Sequence, residues 1–371
     1  MTKDSGREDH TPDATLTSRS RRAPALPGRR DAGDAWVEGA DGARYWGRFG
    51  AAGLLVHDPS RGVLLQHRAT WSHHGDTWGI PGGALHEGET AFDGACREAA
   101  EEGDVPRDAV APVAMAVLDR EVWRYTTVLG RATERFEARA LDAESHELRW
   151  VPLKEVARLP LHPSFGAAWE LHRALLAADR VLIVDAANVV GARPDGWWRD
   201  RAGATSRLLE RLRDVTASGI ALADWARVDA DGLTVEGARG ATPVDTAARA
   251  ADAGLSVRVL PRIVVVVEGQ AREAVRGGAA ARRGGQKPGH SGIGVVPAAG
   301  SGDDAIVDEV RSAVVDEARE QGDERNIDVV VVTSDRELQA RVRDAGARAA
   351  GARWLLTQLD GLDSDLRDHG E

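Results

Sequence analysis

Glu98, Glu101 and Glu102 constrain this chain more than any other feature of its sequence. Spacings of three and four put them on one face of a helix, within a single turn. Carboxylates gathered this closely repel one another. A hard divalent cation removes that repulsion and takes oxygen ligands. Arg97, beside Glu98, can hold one carboxylate in orientation. Upstream, Trp78-Gly79-Ile80-Pro81-Gly82-Gly83 is punctuated as a loop, and its glycines let the backbone approach a neighbour closely. The helix is predicted from about Thr90 to Glu102, with Thr90 as its N-cap and Asp93 three residues on.

The length of 371 residues suggests two domains, each with a core of its own. A net charge of −11 argues against wholesale coating of nucleic acid but permits a local basic patch. The single cysteine, Cys96, excludes an intrachain disulfide and a cysteine-based zinc cluster. It reads as a small apolar residue packed on the carboxylate helix. With no apolar run of about 18 residues, no membrane span or membrane partner is expected. Residues 1–30 lack the apolar centre of a secretory signal, so the expected location is cytoplasmic. Residues 1–35 read as a disordered tail. The oligomeric state is left open.

The first domain is expected over residues 36–178. Leu54-Leu55-Val56 and Val63-Leu64-Leu65 read as strands around a turn-rich hairpin loop, with further strands at 115–118, 123–129 and 147–151. An Ala/Leu-rich helix over 167–178 closes it. The pattern Gly83-x5-Glu89-x7-Arg97-Glu98-x2-Glu101-Glu102 resembles the Nudix box, and Pro81-Gly82-Gly83 and the segment from Glu147 to Pro152 are also similar to that family. One departure is Asp104, where the family usually has glycine; it should alter the helix C-cap. The resemblance implies an α/β/α sandwich with a mixed sheet. It also implies pyrophosphohydrolase activity, acting on the acid anhydride of a nucleoside diphosphate linked to another group. By that analogy Glu98, Glu101 and Glu102 bind Mg2+ or Mn2+ and activate water. Glu89 and Arg97 brace the loop–helix junction, Gly82 and Gly83 line the substrate site, and Glu147 is a softer further ligand or base. Trp71, His73, His74 and Trp78 could stack on or bond to a base, although packing or a surface loop is the plainer role for each. His162-Pro163-Ser164 reads as a turn before the last helix.

The second domain is expected over residues 179–371. Three apolar runs, at 181–184, 263–267 and 329–332, read as buried parallel strands. Helical patterns over 205–218, 305–321 and 337–345 alternate with them, predicting a doubly wound, mostly parallel α/β sheet. Asp185 follows the first run, Glu268 the second and Thr333-Ser334-Asp335 the third. Ligands of such sheets sit at the carboxyl ends of the strands, so these acids should converge. Gly302-Asp303-Asp304 opens a helix that puts Asp308 one turn on. One or two Mg2+ or Mn2+ ions and phosphodiester hydrolysis are the economical reading. Asp185-Ala186-Ala187-Asn188 fits neither a dinucleotide fingerprint nor a haloacid-dehalogenase-type pair of aspartates, and no P-loop occurs. The short motifs around Asp185, Asp303 and Asp335 are similar to the NYN branch of the PIN nucleases, closest to its YacP-like members. That resemblance implies an RNA-cleaving endoribonuclease with Asp185, Asp304 and Asp335 as metal ligands. Asn188 and Ser334 would shape the site, while Asp303, Asp308 and Glu268 are lesser candidates. A mobile loop over 270–302 carries Arg272, Arg276, Arg282, Arg283 and Lys287 and could hold RNA phosphates; Trp197 and Trp198 could stack on bases. The alternative is a regulatory protein whose first domain senses a nucleotide and whose second binds RNA without cutting it.

Overall fold

The computed structural model describes residues 32–40, 42–194, 196–229, 242–272, 292–319 and 326–368. Most of the expected tail, and the basic loop with Arg276, Arg282, Arg283 and Lys287, lie outside the described residues. No described helix is long and apolar enough to cross a membrane.

The strand-forming runs pair as the alternation of apolar residues demands. A small hairpin, β1 (Trp36–Glu38) and β2 (Arg44–Trp46), leads into β3 (Ala51–Asp58), β4 (Gly62–Arg68), β5 (Trp78–Gly79) and β6 (Gly82–Ala84). The helix α1 (Ala91–Gly103) follows, then β7 (Val110–Asp119), β8 (Arg124–Ala132) and β9 (Ser145–Val151). β1 and β2 pair only with each other, and β3 to β9 belong to one mixed sheet, in which β3 runs parallel to β8 and antiparallel to β4 and β6. All eight residues of β3 are buried. Its alternate faces divide the core. Leu54 and Val56 pack under α1 with Ala95, Cys96 and Ala99, while Leu55 faces a second core shared with the rest of the chain. The helix Pro163–Leu176 covers that second side.

β10 (Ala178–Asp185) opens another sheet. Here β13 (Arg262–Val267), β14 (Ile293–Pro297), β15 (Asn326–Val332) and β16 (Arg348–Ala350) pair in the order β14-β13-β10-β15-β16, every pair parallel. Val181 and Ile183 face the helices Gly302–Arg319 and Arg336–Asp344; Leu182 and Val184 face the shared core. This two-sided burial explains why these strands read as unbroken apolar runs.

Residues between β10 and β13 cross back to the first sheet. β11 (Ile220–Ala221) pairs with β12 (Leu255–Val259), and β12 pairs antiparallel with β7, Val257 opposite Ala116. Sheet membership therefore does not divide at residue 178. Buried charges tie the same segment down. Arg348 on β16 makes a bidentate pair with Asp328 on β15 at 2.7–2.9 Å, and Asp328 also accepts the Trp225 indole N–H at 2.6 Å. Arg348 in turn donates to the carbonyls of Trp225 and Val228. Removing one member of a buried pair strands the other. Asp328→Ala is therefore expected to cost about 3–5 kcal/mol, read as a lower midpoint of urea unfolding; a loss under about 1 kcal/mol would contradict this role.

Candidate functional site

The sequence of α1 sets the first site. The Thr90 hydroxyl accepts the Asp93 N–H at 3.1 Å and starts the helix. Asp104 ends it, taking the left-handed conformation itself (φ 56°), which aspartate tolerates. Before it, Gly103 packs against the end of the Leu148 side chain, 2.5 Å from where a Cβ would stand. The Asp104 N–H closes the helix on the Ala100 and Ala99 carbonyls.

Arg97 organises that face. Its Nε and Nη2 each donate to Glu89 at 2.9 Å, Nη1 donates to Glu98 at 2.8 Å, and Nη2 also reaches the Ala84 carbonyl at 2.9 Å. Glu89 further accepts the His86 N–H at 3.0 Å. The guanidinium holds the Glu89 carboxyl below the usual carboxylate range and is itself held more firmly protonated. Loop, helix and strand β6 are thereby locked together. Gly83 packs against the Glu98 carboxylate so closely that a Cβ there would lie 2.5 Å from its oxygen.

The three glutamates differ in environment. The Glu101 side chain is 62% exposed and that of Glu98 only 15%. Burial raises the Glu98 carboxyl. Glu102 is pushed up to about 8 by burial and by the neighbouring carboxylates Glu98 and Asp142. It accepts the Gly82 N–H at 3.2 Å and the Gln66 amide at 3.0 Å. Gln66 also donates to Ser145 at 2.8 Å. Sequence reasoning missed Gln66, although a buried amide in the strand Val63-Leu64-Leu65-Gln66 signals a required polar partner. Tyr125 was missed as well; burial and the nearby Glu102 raise its hydroxyl to about 12.

Several expectations change. Glu147 pairs across from His67, whereas Gln66 pairs with Leu148. Alternation puts Glu147 on the sheet face opposite the Gln66–Glu102 contact, so it does not join the cluster. Trp78 is buried between the His67 ring at 4.7 Å and the Arg149 guanidinium at 4.3 Å, which is packing rather than an open base platform. Cys96 is buried and its thiol is raised to about 11 by that burial, as suits a packed apolar residue.

The second site lies where three parallel strands end together. Val184 of β10 is in register with Val265 of β13 and Val332 of β15, which aligns the acids just beyond them. Asp185, Glu268, Asp303 and Asp335 line one cavity of about 140 Å3, with Asn188 and Gly302. Asp185 accepts the Asn188 N–H at 3.1 Å and the Thr333 hydroxyl at 3.0 Å. Its carboxyl is raised by burial, with Asp303 and Glu268 adding to the shift. Asn188 accepts the Ser334 N–H at 2.8 Å, and Asp335 caps the next helix by accepting from Glu337 and Leu338. Asp304 is the correction here. It pairs with Arg341 and does not line the cavity; its neighbour Asp303 does. A helix turns successive side chains by about 100°, so the choice between adjacent aspartates is invisible without the strand positions. Asp308 pairs with Arg311, outside the cavity lining. Trp197 and Trp198 meet edge to face at 6.2 Å, with Trp198 exposed, and neither lines the cavity.

Comparison with known proteins agrees with the first site. Over 151 residues the chain is 46% identical to a Mycobacterium tuberculosis protein named for 8-oxo-dGTP diphosphatase activity, covering 38% of this chain and 69% of that one. It is 44% identical to RenU, a Nudix hydrolase of known structure from M. smegmatis, over 39% of this chain and 96% of that one, with a TM-score of 0.37. Rae1 (YacP) from Bacillus subtilis is similar over 51% of this chain and 79% of that one, at 15% identity and a TM-score of 0.28. A likeness of that size assigns no family to the C-terminal half. Residues 47–170 match the model of the NUDIX domain. With Glu89, Arg97 and the three glutamates of α1 assembled behind Gly83, the chain belongs to the Nudix family.

Proposed function

We propose that the α1 site hydrolyses the phosphoanhydride of a nucleoside diphosphate derivative, with an oxidised purine nucleoside triphosphate as the substrate class. The observation that carries this reading is the Arg97 clamp on Glu89 and Glu98, which preorganises the carboxylate face. The substrate class follows the name of the M. tuberculosis relative. Glu98, Glu101 and Glu102 would hold Mg2+ or Mn2+. The donor set fits a hard cation, because all three side chains offer oxygen and Glu102 is held protonated by burial and by the carboxylates beside it. When bound, the ion supplies charge neutralisation for the diphosphate oxygens and acidifies water. The chain's own residues do the rest. Arg97 fixes Glu98 in place, Gly82 and Gln66 hold one oxygen of Glu102, and Gly83 keeps the floor open. Exposed Glu101 is the carboxylate a solvent-borne substrate meets first.

Replacing Glu98 or Glu101 by Gln is expected to lower kcat by about 10²–10⁴-fold on 8-oxo-dGTP, measured as pyrophosphate release, with the fold kept. Full activity in both variants would remove the α1 site from the reaction.

Glu102 also sets a pH dependence. Its folded-state value near 8 lies above the unfolded value of 4.5, so the folded chain binds the extra proton. Without metal, stability is expected to fall as pH rises from about 4.5 to 8. Mg2+ held by Glu102 would take the place of that proton, so its stabilising shift in Tm should be larger at pH 8.5 than at pH 6. Glu102→Gln should flatten both trends; a wild-type Mg2+ effect independent of pH would contradict this coupling.

For the C-terminal half, we propose metal-dependent cleavage of RNA at the cavity of Asp185, Glu268, Asp303 and Asp335. Four carboxylates around one cavity suit cation-assisted phosphodiester hydrolysis. In one tube with Mg2+ or Mn2+, an internally labelled 5′-triphosphate RNA is expected to be cut by the wild type, and not by an Asp185→Asn, Asp335→Asn chain. RNA bound but left intact by the wild type would favour the regulatory reading.

A further inference from the structure

We propose that His73, His74 and His162 form a site for a borderline divalent transition-metal ion of the Zn2+ type, separate from the carboxylate site of α1. One ligand nitrogen from each ring lies within 4.8 Å of the others. The ring centroids stand 4.2 Å apart for His73 and His74, 4.8 Å for His74 and His162, and 6.4 Å for His73 and His162.

The fold brings these residues together across almost ninety positions of chain. Trp78 bridges to Leu161, and the His162 N–H donates to the Trp78 carbonyl at 2.8 Å. The loop that carries His73 and His74 is pinned on both sides. Arg68 Nε donates to the His73 carbonyl at 3.2 Å, and the Thr77 hydroxyl to the His74 carbonyl at 2.6 Å. The N–H of Asp76 donates to the Arg68 carbonyl at 3.0 Å, closing the loop base. Backbone bonds thus fix where the three rings start. Among the described residues, no hydrogen bond is made by the ring nitrogens of these three histidines, which leaves one nitrogen of each open to an ion.

The chemistry selects the ion. Imidazole nitrogen suits Zn2+, Co2+ or Ni2+, whereas the oxygen-only α1 site suits Mg2+. Zn–N bonds of about 2.0–2.1 Å require the nitrogens to close to roughly 3.4 Å. The exposed His73 and His74 rings can rotate to do so. An anion would need protonated rings. A metal ion instead takes the neutral imidazole, so binding is expected to weaken as the pH is lowered. Three histidines leave a fourth position for water or a substrate oxygen. The bound ion would clip the 69–77 loop to the start of the Pro163–Leu176 helix.

The test uses the full chain carrying no added histidines, with Co2+ alone as the probe and excess Mg2+ present. Visible absorption and calorimetry should report one Co2+ per chain. His74→Asn keeps the left-handed backbone (φ 53°), which asparagine accepts, on an exposed loop. It should weaken Co2+ binding at least about tenfold, as should His162→Gln, with metal-free Tm unchanged in the first. Glu101→Gln should leave Co2+ binding intact. Wild-type affinity in His74→Asn, absence of Co2+ binding, or its loss in Glu101→Gln would overturn the assignment. These readouts stand whether or not the α1 site hydrolyses nucleotides.

Discussion

Carboxylates drawn together and partly out of water are the constraint around which this protein is arranged. Burial penalises each ionised carboxyl, and each neighbour of the same sign adds to the penalty. The chain meets this cost twice by different means. At the first site Arg97 pairs with Glu89, just before α1, and with Glu98 on it, while Glu102, which makes no ion pair with the guanidinium, rises to about 8. At the ends of the parallel strands, Asp185 relies on neutral donors, the Asn188 N–H and the Thr333 hydroxyl, and its carboxyl rises too. A site that leaves carboxyls short of compensation is poised to take a cation, and the degree of shortfall differs within each cluster.

Much of this was legible in the sequence because it is local. Helical spacing put Glu98, Glu101 and Glu102 on one face, and Thr90 caps the helix as its hydroxyl predicts. The runs at 181–184, 263–267 and 329–332 became neighbouring parallel strands whose ends place Asp185, Glu268 and Asp335 on one cavity. What was not legible depends on orientation or on partners distant in sequence. Asp303 and Asp304 are adjacent, both lie within ion-pair distance of Arg341, and only the helix phase puts Asp303 on the cavity. Gln66 acquires its meaning from Glu102, thirty-six residues away. Glu147 sits at the right distance along the chain but on the wrong face of its strand, a distinction that turns on register alone.

The largest structural departure from a reading by halves is β12. Leu255, Val257 and Val259 alternate with Ser256 and Arg258, so a strand could be read there, but not its partner. Its pairing with β7 extends the sheet under α1 with residues that follow β10. The core repeats the pattern: Leu55 and Leu129 belong to the same buried cluster as Leu182, Val265 and Val330. Arg131, almost fully buried on β8, ion-pairs with Asp179 at the start of β10.

The two carboxylate sites also share their packing. Leu182 and Val184 lead directly to Asp185, and the face they bury is continuous with the one beneath β3, β7 and β8. Close-packed interiors transmit displacement because they contain little free space. The Gly82 N–H donates to Glu102 and the Arg97 guanidinium to the Ala84 carbonyl, so both ends of β6 are tied to the α1 site. β6 pairs with β3, whose Leu55 lies in the shared core. A physical path of packed side chains therefore runs from one site to the strand that carries the other. The two carboxylate sites are thus built on one continuous apolar core rather than on two separate ones.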